Sequence, residues 1–196
     1  RMRFIFLLTV LLFCESGLAD IEPGMRDKLQ KIVPEEIPAL KYFFDDKNYE
    51  IKRREERTYE KEYNAFIRNE KTFEEFLQSI KESCPYAYSG FQSTAQLFDD
   101  RINALTDSDA RYFMNHVLFE MKEQYKRRID FYSSPRSDDR KMERELIEAE
   151  FDNLKTFLKD FENLPERSKM DLRKQFREFF NVIERSGFTI DHIILG

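Results

Sequence analysis

The groups able to do chemistry in this chain are few, and their spacing decides against most of the reactions they could run. His116 and His192 are the two histidines, and neither stands in an H-E-x-x-H pair, a nucleophile elbow or a Cys/His metal spacing. His116 could pair with Glu120 one helical turn on, but a lone histidine on an aromatic segment is read as a structural residue. The Asp99-Asp100 pair invites comparison with acidic magnesium motifs. Asn103 stands where a third carboxylate would be needed, so a solvated pair is the reading. Asp107 and Asp109 have the opening spacing of a calcium loop without its glycine or its closing glutamate. The glycines are isolated from one another, which excludes a glycine loop around a phosphate. No enzyme activity, no cofactor and no metal are expected.

Two cysteines remain to be placed, and the chain's first residues place one of them. RMRFIFLLTVLLFCESGLAD sets two arginines before an apolar run from Phe4 to Cys14, with Gly17 and Ala19 flanking Leu18 as at a cleavage site. That is the pattern of a secretory signal peptide over residues 1–19, too short to cross a bilayer comfortably. Residues 20–196 are then one exported, extracellular domain, long enough to bury roughly 70% of the surface its unfolded form exposes. Cys14 leaves with the leader, so Cys84 stays alone, no internal disulfide can form and stability must come from packing. Between a helical stripe and Pro85, Cys84 reads as a buried structural residue. Lys and Arg number 33 against 38 Asp and Glu, a formal net charge of −5. An acidic balance without a basic tract speaks against nucleic acid and against anionic membrane surfaces.

The residue types left to build that core are lopsided: 20 Phe, no Trp and only 5 Gly, with abundant Glu, Lys, Arg and Leu. Such a chain favours helices almost throughout and an all-α fold. A short amphipathic segment, MRDKLQKI, precedes a helix start expected at Pro34. The stretch from Asp45 to Asn69 is highly charged and reads as a mostly solvated helix. Thr72 with Glu75 has capping-box spacing ahead of the stripe Phe73, Phe76, Leu77 and Ile80. Cys84-Pro85 breaks that helix. A helix from Tyr86 to Ala104 follows, and one from Asp107 to about Phe131 with a start signal at Thr106 and Asp109. SSPRSDD is the clearest loop. Arg140 to Asn163 carries one broad apolar face, and after Pro165 a final helix runs to Gly187. The tail FTIDHIILG has no placement from its sequence.

Four of these pieces, in this order, resemble the nematode fatty acid and retinol-binding proteins: KIVPEEIPALKYFF, EEFLQSIKESCPYAY, INALTDSDARYF and LPERSKMDLRKQFREFFNVI, spanning Ile32 to Gly187. Cys84 stands where a small hydroxyl residue is usual, the segment from Asp45 to Asn69 is unusually charged, and the chain is rich in rings. The resemblance implies a secreted carrier of fatty acids or retinol: a single all-α domain of antiparallel and crossing amphipathic helices around an apolar cavity, with no chemistry. It also implies a monomer that touches membranes only transiently during lipid transfer. On the apolar faces, the pocket is expected from Phe43, Phe44, Phe66, Phe73, Phe76, Ile80, Phe98, Ile102, Phe113, Val117, Leu154, Phe157, Phe161, Phe176 and Phe180. Lys81, Arg101 and Arg111 are the candidates to meet a ligand carboxylate, and the segment from Ile32 to Phe44 is the expected lid. The competing expectation is a secreted all-helical protein–protein interaction module whose core is fully packed.

Overall fold

The computed structural model describes residues 21–44, 49–135, 139–189 and 192, and the side chains of residues 49–54, 56, 151 and 154 are not among those described. The leader expected at residues 1–19 lies outside these residues, as does the side chain of Leu154. Every long element is helical: α1 Pro23–Glu36, a 3₁₀ turn Pro38–Leu40, α2 Lys41–Phe44, α3 Tyr49–Ile67, α4 Phe73–Ile80, α5 Pro85–Ala104, α6 Ser108–Tyr132, α7 Arg140–Asn163, α8 Glu166–Gln175 and α9 Arg177–Ser186. The fold is all-α, and no helix among the described residues is long and apolar enough to cross a membrane.

Local chemistry sets most boundaries. Thr72 and Glu75 form the expected capping box: the Glu75 N–H donates to Thr72 Oγ1 and the Thr72 N–H to Glu75 Oε2. The cap of α6 is Asp107, one residue after Thr106, and its Oδ1 accepts from the Asp109 and Ala110 N–H groups at 3.0 Å each. Gly187 closes α9 in the left-handed region, φ 68°, where a side chain would be strained.

Two expectations fail at prolines and rings. Pro34 does not start a helix but sits in the last turn of α1, where it removes a single ladder bond. Met25, Leu29 and Val33 keep one buried stripe running up to it. The helix expected after Pro165 is two, broken at Phe176 (φ −107°, ψ 33°). The break brings the Phe176 and Phe179 rings, 5.8 Å apart, together with Phe98 in one triangle, at 6.2 and 5.6 Å from its centroid. The tail also finds a place. Phe188 is fully buried, and the His192 carbonyl accepts the Glu22 N–H at 2.7 Å, tying the chain's end to the start of α1.

Apolar residues gather into two clusters. The main one joins α1, α5, α6, α7, α8 and α9 around Leu29, Val33, Met114, Val117, Leu172 and Phe179. The second, at the other end of α5, joins α3 and α4 around Tyr59, Phe76, Ile80 and Cys84. The α3 helix is therefore less solvated than its charge suggests, since Tyr59, Ile67 and Glu55 are all buried.

Candidate functional site

The strap from Ile37 to Phe44 lies where the two clusters meet. Leu40 and Phe44 face the main cluster, Tyr42 faces the second, and Phe43 packs against both. Small residues on α5 let the strap come close. A Cβ on Gly90 would sit 2.3 Å from Tyr42 Cγ and 2.5 Å from its Cβ, so only glycine fits there. One turn on, the Thr94 hydroxyl donates to the Gly90 carbonyl at 2.8 Å and lies 3.5 Å from the Ala39 carbonyl. Of the lid expected from Ile32 to Phe44, residues 32–36 belong instead to α1. That helix is pinned to α9 by Arg185, which donates to Glu35 at 2.8 Å and Glu36 at 2.6 Å. The Arg185 guanidinium, helped by Asn181, holds the Glu36 carboxyl below its usual range.

The expected pocket residues divide between the clusters. Phe44, Phe98, Phe113, Val117, Phe157, Phe161 and Phe176 are buried in the main one, with Ile102 and Phe180 half-buried against it. Phe66, Phe73, Phe76 and Ile80 belong to the second, across the Cys84-Pro85 break. The faces on the two sides of Pro85 meet there: Phe76 and Phe91 are edge to face at 5.2 Å, and Phe66 stacks on Phe76 at 5.5 Å. No gap the width of an acyl chain separates those rings. Phe91, left out of the expected pocket, is the hub of this cluster, within 6.2 Å of the Tyr42, Phe43, Tyr59, Tyr63 and Phe76 rings. Its place in the helix expected from Tyr86 to Ala104 was legible; its partners, on three other elements, were not.

A buried carboxylate orders that end of the molecule. The Tyr86 and Ala87 N–H groups donate to the two Glu55 oxygens at 3.3 and 3.0 Å, so α3 supplies the cap that Cys84 cannot give α5. Cys84 is free and buried beside it, and burial pushes its thiol above the usual range, which keeps it inert.

The three head-group candidates do not converge. Lys81 is exposed just past α4. Arg101 pairs with Glu178, its Nε buried without a hydrogen-bond partner among the described residues. Arg111 donates to the Leu105 carbonyl. His116 is held by rings, stacked on Tyr112 and edge-on to Phe157. Among the described residues no group of three or more His, Cys, Asp or Glu side chains could hold a metal ion.

A concavity that the sequence did not flag lies at the far end of the α6–α7 pair. It is an open groove of about 690 Å³ whose lining includes Arg127, Asp130, Phe131, Met142, Glu145 and Leu146. None of the expected pocket residues borders it.

Compared with known proteins, the chain matches the family model described as nematode fatty acid retinoid binding protein (Gp-FAR-1) over residues 25–192. No curated protein matches it, and no solved structure does.

Proposed function

The chain belongs to the nematode fatty acid retinoid binding protein family, and from that premise we propose that it is an exported carrier holding a fatty acid or a retinoid in its main apolar cluster, beneath the 37–44 strap. The match from residue 25 to 192 carries the reading, because it runs through every element that builds that cluster. Binding is physical, without bond making. Burying about 16 methylenes at about 0.8 kcal/mol each yields on the order of 13 kcal/mol gross, against roughly 4–15 kcal/mol for association and ordering. A site already apolar and closed to water is therefore needed.

The strap is the element suited to admit the ligand, being short, bounded by Pro38 and seated on α5 by van der Waals contact and one long hydrogen bond. Export rests on the leader pattern of residues 1–19. The carrier works as a monomer, collecting and releasing lipid in transient contacts with membranes. A packed interaction module is the second reading, and the ring contacts of the second cluster favour it.

Titrating the delipidated protein with dansyl-labelled undecanoic acid separates the two. Saturable, blue-shifted emission that oleate or retinol displaces is expected; no uptake at all would sink the carrier. A short bifunctional crosslink between A39C and T94C should slow ligand exchange, and unchanged rates would remove the strap from the mechanism.

A further inference from the structure

We propose that Glu178 is an internal competitor for the ligand's carboxylate: it occupies the Arg101 guanidinium, and a fatty acid lying along α5 displaces it. The proposal rests on the carrier reading above and names the head-group contact of that same site. Three observations carry it.

The first is placement. Gly90, Thr94, Phe98 and Arg101 recur at helical spacing and share one face of α5. The strap rests on the first two, and Phe98 belongs to the main cluster. The buried part of that face therefore ends in a charge. The axial rise from Gly90 to Arg101 is about 16 Å, within the reach of a long acyl chain. A ligand admitted under the strap and laid on this face brings its head to Arg101.

The second is an unmet donor. Arg101 donates from Nη2 to Glu178 Oε1, while its Nε is buried and has no hydrogen-bond partner among the described residues. A carboxylate set squarely on the fork accepts from Nε and one Nη together; Glu178 meets only the second. A buried donor left unmade is a standing cost, and a ligand carboxylate that accepts from both removes it. That difference between the two partners drives the exchange. The third is the fate of the displaced group. Glu178 stands in the first turn of α9, between the Phe176 and Phe179 rings that pack with Phe98. Its side chain is 23% exposed against 36% for Arg101, so a displaced carboxylate passes into water rather than into the core. The positive end of α9 still favours it there.

The test titrates the delipidated protein with cis-parinaric acid, a polyene whose emission rises in an apolar site, and with its methyl ester. E178Q should bind the acid about threefold more tightly and R101M roughly tenfold more weakly. The ester should stay within about twofold in both. In the R101M background E178Q should have no further effect on the acid, since no guanidinium is left to release. An equal shift for acid and ester reduces the pair to a structural clasp and overturns the head-group assignment. E178Q without effect on the acid overturns the competition, and R101M without effect overturns Arg101. Should R101M fail to fold, R101K takes its place: it keeps the charge but loses the fork, so about a threefold loss is expected, and no loss overturns the assignment. Each of these reversals leaves the carrier reading standing. Uptake of neither ligand by the parent overturns that reading and the competition with it.

Discussion

The two apolar clusters are built from different materials and answer an intruding ligand differently. In the second, rings meet rings: Tyr63, Phe66, Phe76 and Phe91 lie within 6.2 Å of one another in neighbouring pairs, and each contact is directional. Aromatic pairs add about 0.5–1.5 kcal/mol beyond area burial, so moving one ring loosens several. The main cluster sets Met25, Met114 and Met121 among Leu, Val and Phe, and thioether chains change rotamer at small cost. The ring cluster is thus an anchor and the main cluster the part that can yield. Phe43, packed on both, makes the strap the seam between them.

Removing a ring from the anchor is the hardest test of that difference. Phe76→Ala should cost about 3–5 kcal/mol of stability, read as a lower urea midpoint, while leaving fatty-acid affinity of the folded protein within about twofold. A large affinity loss at full folding would reverse the roles of the two clusters. Next in size is Gly90→Ala. Helix propensity alone would favour alanine by about 1 kcal/mol, but its Cβ would meet the Tyr42 ring at 2.3 Å. A net loss of about 1–3 kcal/mol is expected, together with faster ligand exchange as the strap lifts. Glu55→Ala removes the cap of α5 and should cost about 1–3 kcal/mol, since it leaves the Tyr86 and Ala87 N–H groups without their acceptor. The loss should fall on exchange protection at the start of α5 and spare α9.

The smallest effect is a pH dependence confined to the main-cluster side. Burial alone would push the Asp171 carboxyl up, but the Asp107 and Thr106 N–H groups, donating at 2.8 and 2.7 Å, hold it below its usual range. Asp107 is likewise lowered, chiefly by the Ser168 hydroxyl at 2.6 Å and then by the Ala110 N–H. Both folded-state values are depressed, so their stabilisation is present above the ordinary carboxylate range near pH 4 and is lost as pH falls through the folded values. Acid titration of Asp171→Asn should therefore show a shallower stability loss below about pH 4 than the parent. Equal slopes would remove Asp171 from the acid response.

What the sequence made legible was local. The Thr72–Glu75 box, the break at Cys84-Pro85 and the stop at Gly187 each depend on neighbours within a few residues, and each stands as its residue types require. Pro34 and Phe176 were opaque because their outcome depends on distant packing: a proline is tolerated where α9 grips the helix, and a helix breaks where two of its rings pack together against Phe98. Glu55 was hidden in a run of charges, since its partners stand 31 and 32 residues away. Periodicity found the faces of Phe66, Phe76, Phe98 and Phe161. It could not say that the first two face a different cluster from the last two.

Hydrogen exchange measured on the protein with and without saturating oleate tests the division most directly. The strap at residues 37–44 should change its exchange markedly on binding, while the ring-packed segment from residue 73 to 91 stays as it was. Oleate bound at saturation with the change confined to residues 73–91, and none in the strap, would contradict the account.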